Sequence, residues 1–183
     1  MPAKLRKMLP DNKNMKQTIG YSEYKELLNV FVHMVQESMG EQVISIVLYG
    51  SVARGTATPN SDIDLLIVLR EASSGYWGRL QSFLPILRRM KKESCWQRLE
   101  SKGLNPVLSL LVLSIEEASE NRYIYLDMVE DALSLTDKER FFQSKLESLR
   151  KRLQELGSQK RRRDGDWYWD IKPDLKPGEV ITL

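Results

Sequence analysis

The chain has 183 residues, of which 42% are hydrophobic and 29% are charged, and its formal net charge is +3. This length fits a single domain, and this composition is typical of a soluble globular protein. The sequence has neither an apolar run long enough to cross a bilayer nor the apolar region of a signal peptide, so we expect a cytoplasmic protein without membrane contact. The single cysteine, Cys95, excludes an internal disulfide and any multi-cysteine metal site.

The first predicted elements are a loose arm and a helix. Residues 1–20 are polar and basic and show no steady period, which predicts a flexible basic arm. Apolar residues then recur at helical spacing from a predicted cap at Ser22 to Met39, and Gly40 ends the helix. His33, the only histidine, lies in this helix, and we assign it no chemistry.

Two apolar runs flank a small polar loop in the next part of the chain. The first run, Val43–Tyr49, is rich in β-branched residues and predicts a strand. It ends at Gly50 and Ser51, where the missing Cβ lets backbone N–H groups approach a phosphate. The second run begins with Asp62 and Asp64, whose side chains leave one face of a strand about 6.5 Å apart. Both faces become apolar further along this run, which predicts a central, buried strand.

Asp62 and Asp64 place two like charges at the start of this second strand. Neighbouring carboxylates in a partly desolvated place repel each other, so either one takes up a proton or a cation neutralises them. Oxygen ligands suit Mg²⁺ or Mn²⁺, with substrate phosphates completing the coordination. The pair is therefore a candidate metal site, although each feature taken singly also fits an ordinary turn or a solvated strand end.

The loop and the second strand together resemble the motif of the minimal nucleotidyltransferases of the DNA polymerase β superfold. That motif is Gly-Ser, about a dozen residues, and then Asp-hydrophobic-Asp-hydrophobic on the next strand; here ten residues separate the two parts. The residues that carry the resemblance are Gly50, Ser51, Asp62, Ile63, Asp64 and Leu65, and the loop adds Arg54, Gly55 and Ser61.

The resemblance implies an α/β (α+β) nucleotidyltransferase fold, in which helices pack a small mixed β-sheet. It implies that Asp62 and Asp64 are catalytic and hold two divalent metal ions. The expected cofactor is Mg²⁺ or Mn²⁺. It also implies transfer of a nucleoside monophosphate from a nucleoside triphosphate to a hydroxyl acceptor. The triphosphate would be bound by the loop residues Gly50, Ser51, Arg54 and Ser61.

The third strand candidate, Pro106–Leu113, lacks an acid that the resemblance implies. In the family a third carboxylate normally lies on this strand, but here the stretch offers Ser109 and the following Ser114. Three explanations are open: the acid comes from elsewhere, two acids suffice, or the domain binds nucleotide without transferring it. The acids considered elsewhere are Asp127, Glu130, Asp131 and Asp170.

The segment between the second and third predicted strands is expected to contain a connection and a helical stretch. Glu71–Gly78 is expected to be a turn-rich connection, in which Tyr76 and Trp77 either cover a core edge or stack on a nucleobase. Leu80–Leu99 has a helical composition, but Pro85 is expected to mark a break or the start of a new helix.

The second half of the chain predicts further helices. Residues 122–131 are expected to be helical and 132–136 to form a short strand. A helix from residue 137 or 138 to Leu156 carries one apolar stripe that fits core packing or a homodimer.

The tail combines a basic run with closely spaced aromatics. Trp167–Ile171 and 180–183 predict a terminal hairpin, so 158–183 is expected to be a basic linker and a hairpin packed on a domain that covers 21–157. The aromatics beside Lys160–Arg163 either stack bases of single-stranded RNA or pin the last helix to the core.

The sequence leaves the acceptor open, with a protein or an RNA as candidates. The alternative function is a non-catalytic nucleotide- or RNA-binding module, or an antitoxin-like partner protein. A P-loop hydrolase is disfavoured because Gly50–Thr58 lacks the Gly-Lys-Ser/Thr ending of that motif.

Overall fold

The structure is a computed structural model of the chain, and it describes residues 18–71, 75–163 and 166–183. Most of the predicted basic arm, 1–17, lies outside these residues, as do positions 72–74 of the predicted turn-rich connection. The last part of the predicted arm belongs to the fold, because Ile19 is buried and forms a β-bridge with Ala57.

The described residues form a mixture of helices and strands. The helices are α1 (Tyr21–Met39), α2 (Gly50–Ala53), α3 (Tyr76–Met90), α4 (Ser94–Ser101), α5 (Ile115–Ser119), α6 (Tyr125–Asp131) and α7 (Phe141–Glu155). The strands are β1 (Val43–Tyr49), β2 (Ile63–Leu69), β3 (Leu108–Ser114), β4 (Leu133–Asp137), β5 (Gln159–Arg163) and β6 (Asp166–Asp170). Short 3₁₀ turns precede β1 (Gly40–Gln42) and α7 (Lys138–Arg140).

A four-stranded mixed sheet lies at the centre, with the strand order β3-β2-β1-β4. Strand β1 pairs antiparallel with β2 and β4, whereas β2 pairs parallel with β3. The predicted central position of β2 is therefore confirmed. Its near-continuous apolar sequence follows from burial on both faces.

Helices cover both faces of this sheet, and each face has its own core. Helices α1, α3 and α4 pack on one face around side chains such as Ile46 and Leu65. Helices α5, α6 and α7 pack on the other around Val47 and Leu66. Each such fully buried aliphatic side chain contributes about 2 kcal/mol through removal from water. In the described part of the chain, no helix has both the length and the apolar character that a membrane crossing requires.

Several helix boundaries differ from the sequence predictions, and Tyr76 and Trp77 of the predicted turn-rich connection belong to the first turn of α3. Helix α1 begins two residues earlier than a cap at Ser22 predicts, because Gly20 is the N-cap and its backbone N–H donates a hydrogen bond to the carboxylate of Glu23. Pro85 lies inside α3 without ending it. The proline leaves the carbonyl of Gln81 without its helical partner, and both residues are exposed, so water can satisfy that carbonyl. The break comes only after Met90.

Helix α7 begins at Phe141, later than predicted, because Glu139 and Arg140 have positive φ angles of 54° and 55°. The carboxylate of Asp137 accepts hydrogen bonds from the backbone N–H groups of Phe142 and Gln143, which caps the helix. The apolar stripe of α7 is used within the chain's own core: its buried members are Phe142, Leu146, Leu149 and Leu153.

The terminal hairpin contains the predicted strand at Trp167–Ile171, observed as β6, but its partner strand differs from the prediction. The basic run Gln159–Arg163 forms β5 and pairs antiparallel with β6 in a separate two-stranded sheet. Residues 180–183 form no strand, and the predicted linker is itself the first strand of the hairpin. Strand β5 forms because the register sets its cations opposite the aromatic side chains of β6, and a composition-based prediction of a linker misses this cross-strand contact.

Candidate nucleotide-binding and catalytic site

The turn from β1 into α2 places Gly50 directly against the carboxylate of Asp64. Gly50 has a φ of +73°, and a Cβ added there would lie 2.3 Å from Oδ2 of Asp64. Only glycine satisfies both the left-handed backbone and this close approach. The predicted loop glycine and the predicted acid therefore meet at one point, at the end of β1 and the start of β2.

Asp64 lies in a row that crosses three strands of the sheet. The register aligns it with Tyr49 on β1 and with Ser109 on β3. Burial raises the pKa of Asp64, as does the negative charge of Asp62, while a hydrogen bond from Ser109 and the charge of Arg54 lower it; the net direction is upward. Burial, the charge of Asp64 and the nearby Tyr76 raise the pKa of Tyr49 to about 12, so the Tyr49 hydroxyl is protonated at neutral pH.

Asp62 lies just before β2, where its exposed side chain is held by a residue that the sequence analysis did not identify. Nδ2 of Asn105 donates a hydrogen bond to Oδ1 of Asp62 over 2.9 Å. Oδ1 of Asn105 in turn accepts from the backbone N–H of Val107 at 3.2 Å. This second bond fixes the orientation of the amide group, so that its NH₂ faces the carboxylate.

The loop between β1 and β2 is organised by its own hydrogen bonds. The backbone N–H of Thr56 donates to the carbonyl of Ser51 at 2.9 Å, and that of Arg54 to Gly50 at 3.1 Å. The hydroxyl of Ser61 accepts from the backbone N–H of Thr58 at 3.0 Å, and it also lies 3.1 Å from the Thr58 hydroxyl. Ser61 therefore shapes the loop, whereas Ser51 and Arg54 lie on the segment that leads from Gly50.

The donor set of Asp62 and Asp64 fits a divalent cation. Both residues offer carboxylate oxygens, and the repulsion and desolvation that raise the pKa of Asp64 are relieved when a cation neutralises the pair. Within residues 18–71, 75–163 and 166–183, however, no group of three or more His, Cys, Asp or Glu side chains is arranged to hold a metal ion.

The four acids considered as a third carboxylate do not complete such a group. Asp127, Glu130 and Asp131 lie on α6, where Glu130 forms an ion pair with Lys160. Asp170 forms an ion pair with Nε of Arg161 at 3.1 Å. The position in register with Asp64 holds Ser109, so β3 and the loop before it present two neutral donors, Asn105 and Ser109, to the two carboxylates.

One signal in the sequence could have pointed to Asn105. Asn105 directly precedes Pro106, shortly before the third strand. Parallel pairing of β3 with β2 places the first residues of these two strands side by side. A polar residue just before β3 is thus brought to Asp62, which lies just before β2. The direction of strand pairing was not evident from the residues alone.

Comparisons with known sequences place most of the chain in a family. The model of the family described as "Nucleotidyltransferase domain" matches residues 25–161, well over half of the chain. A segment of 44 residues is 43% identical to "Putative protein adenylyltransferase MJ1305" of Methanocaldococcus jannaschii and covers 24% of this chain and 30% of that protein.

Among solved structures, the chain is similar to a toxin-antitoxin crystallised with AMP-PNP, at 19% identity and a TM-score of 0.42, over 69% of this chain and 89% of that one. It is also similar to the toxin-antitoxin MntA-HepT, at 16% identity and a TM-score of 0.41, over 72% and 90% of the respective chains. The family match covers the loop glycine, both aspartates and the whole central sheet. The chain therefore belongs to the nucleotidyltransferase domain family.

Proposed function

We propose that the protein transfers a nucleoside monophosphate from a nucleoside triphosphate to a hydroxyl acceptor. The acceptor oxygen forms a bond to the α-phosphorus while the bond from that phosphorus to the bridging oxygen breaks, and pyrophosphate leaves. The observation that carries the proposal is the contact of Gly50 with the carboxylate of Asp64, since it brings a phosphate-binding turn and a candidate metal ligand to one point.

The loop residues would bind the phosphates of the nucleotide. Gly50 leaves its backbone accessible, and Ser51 adds an N–H and a hydroxyl for the terminal phosphates. Arg54 is exposed, and its charge acts on Asp64, so its guanidinium lies near enough to offset the phosphate charge. Ser61 contributes through the turn that it forms with Thr58.

Asp62 and Asp64 would hold the divalent cations, magnesium or manganese. When bound, such ions neutralise phosphate charge and lower the pKa of an attacking hydroxyl. The chain itself keeps the two carboxylates in position, through Asn105 on Asp62 and Ser109 on Asp64. Because Ser109 stands where a third carboxylate would accept a proton, the proton of the acceptor hydroxyl would pass to solvent.

A protein hydroxyl is one candidate acceptor. The relative from Methanocaldococcus jannaschii is named as a protein adenylyltransferase, and its match with this chain is confined to a short segment. Tyrosine, serine and threonine side chains supply hydroxyls of the required kind. An RNA hydroxyl is the other candidate, and it is supported by the tail discussed below.

Labelled nucleotides give a direct test of this function. Purified protein is incubated with α-labelled ATP, CTP, GTP or UTP and Mg²⁺, in the presence of RNA or cell extract. We expect label in a macromolecule with the wild type and none with the double variant Asp62→Asn/Asp64→Asn. Equal incorporation by both proteins would contradict the catalytic roles of the two aspartates.

A second candidate function follows from Ser109. A domain that binds nucleotide without transferring it would not need the third acid. Such a domain would act as an RNA-binding module or as an antitoxin-like partner. Calorimetry separates the two functions: Mg²⁺-dependent nucleotide binding without any incorporation of label would favour the non-catalytic module. Incorporation that depends on Asp62 and Asp64 would exclude it.

A further inference from the structure

The β5–β6 hairpin combines positive charge with exposed aromatic rings, and we propose that it binds single-stranded RNA. Strand β5 carries four consecutive cations at 160–163, and β6 carries three consecutive aromatic residues at 167–169. Antiparallel pairing sets Lys160 opposite Trp169 and Arg162 opposite Trp167. Each cation therefore lies beside a ring on the neighbouring strand.

One face of the hairpin forms a row of stacked cations and rings. The ammonium of Lys160 lies 5.9 Å from the ring centre of Trp169, and the guanidinium of Arg162 lies 5.8 Å from that of Trp167. Trp167 is 62% exposed, although an indole of this size is normally covered. An exposed ring held beside a guanidinium is a surface on which an unpaired base can stack while its phosphate meets the cation.

The hairpin is held at this place by α6. The indole N–H of Trp169 donates to the carbonyl of Leu126 at 3.1 Å, and Lys160 forms an ion pair with Glu130. Helix α6 packs in turn against α2, the helix that begins at Gly50. Helix α6 therefore contacts both the hairpin and the helix that begins at the proposed phosphate loop.

The chemistry of the surface favours a nucleic acid over other anionic partners. Arg161, Arg162 and Arg163 are exposed, and such a run attracts any polyanion. A lipid surface typically takes up an amphipathic helix, whereas β5 and β6 form a two-stranded sheet whose sequences contain no aliphatic side chain. An acidic protein would not need the exposed rings of Trp167 and Tyr168, whereas unpaired bases do.

RNA is favoured over DNA because its 2′-hydroxyls are hydroxyls of the kind that the proposed transfer uses; this choice, unlike the binding of a single strand, rests on the proposed function. Binding is therefore measured without nucleotide and transfer is measured separately. Loss of transfer in Asp62→Asn/Asp64→Asn with RNA binding intact would separate the two proposals.

Fluorescence anisotropy of the full chain with a labelled, unstructured RNA of about 12 nucleotides tests the proposal. We expect Trp167→Ala to weaken binding about tenfold and Trp167→Phe to restore most of it. We expect Arg162→Gln/Arg163→Gln to weaken binding and to lower the salt dependence of log K by about 1.4. The matched controls are Trp77→Ala, which removes another exposed tryptophan, and Lys91→Gln/Lys92→Gln, which removes the same charge from the end of α3.

Several outcomes would overturn the assignment. Affinities that are equal in the wild type and the hairpin variants, or controls that lose as much affinity as those variants, would show that the hairpin is not the binding surface. A polyglutamate peptide or an RNA duplex that binds as tightly as the single strand would show that the aromatic rings do not stack on unpaired bases. A DNA strand that binds more tightly than RNA of the same sequence would overturn the choice of RNA. Melting temperatures of all variants are compared, so that a lost fold is not read as lost binding.

Discussion

Replacing Gly50 by alanine tests the contact on which the candidate site is built. The new Cβ would lie 2.3 Å from Oδ2 of Asp64, whereas real Cβ atoms essentially never come closer than 3.0 Å to a non-bonded heavy atom. The carboxylate must therefore withdraw by about 0.7 Å or the loop must shift. A misplacement of this order at a reacting centre costs about 100-fold in rate.

The same substitution also strains the backbone, which gives a second and separable effect. An alanine at a left-handed φ of +73° costs about 1–2 kcal/mol. In a chain of this size such a loss lowers the melting temperature by about 2–8 °C. The protein is thus expected to remain folded at 25 °C while its kcat/KM for nucleotide transfer falls about 100-fold.

Gly157→Ala is the matched control, because Gly157 has a similar φ of +67° and a Cβ added there meets nothing within 4 Å. It should lower the melting temperature by a similar amount and leave transfer unchanged. The measurements are thermal unfolding and initial rates of label incorporation for the three proteins. If Gly50→Ala keeps the wild-type rate, or if Gly157→Ala loses as much activity, the reasoning from the Asp64 contact is wrong.

Three further substitutions probe the carboxylates and their neutral donors. Asn105→Ala should weaken Mn²⁺ binding in the presence of nucleotide about tenfold, because Asp62 loses the donor that orients it. The melting temperature should change little, and an unchanged Mn²⁺ affinity would refute this role. Ser109→Asp should tighten Mn²⁺ binding and, without the cation, lower the melting temperature, since a third charge joins Asp64; weaker Mn²⁺ binding would count against it. Asp64→Asn should abolish transfer yet raise the melting temperature at pH 7. The folded-state pKa of Asp64 is raised above 3.8, so ionisation costs stability as the pH rises through that raised pKa, and the gain should vanish below pH 3.8; a gain that persists at lower pH would contradict this cause.

Much of the fold could be predicted from the sequence, because its strongest signals are local. The β-branched run Val43–Tyr49 coincides with β1, and the buried pattern of the next run identifies β2 as central. The meeting of Gly50 with Asp64 could be expected from the resemblance, but the 2.3 Å approach depends on the register of the two strands. Asn105 was missed for the same reason, since only the parallel pairing of β3 brings it to Asp62.

The errors in the tail and at Pro85 have a different physical origin. A basic run has low intrinsic strand propensity, and β5 forms because β6 offers rings and carboxylates opposite each of its cations. Pro85 is tolerated in α3 because it and Gln81, whose carbonyl it leaves without a helical partner, are both exposed, so water can take the partner's place. In both cases a tertiary or solvent contact outweighs a local propensity, and neither contact is encoded in the neighbouring residues.

The exchange of a third carboxylate for neutral donors changes how the site would acquire its cations. At an effective dielectric constant of 20, two charges 4 Å apart interact by about 4 kcal/mol, so each carboxylate contributes strongly to cation affinity. With Ser109 in register with Asp64, the protein alone offers two charges, and the phosphates of the nucleotide must supply the rest. We therefore expect cations and nucleotide to bind together, and the hydrogen bonds from Asn105 and Ser109 to keep Asp62 and Asp64 oriented until they do.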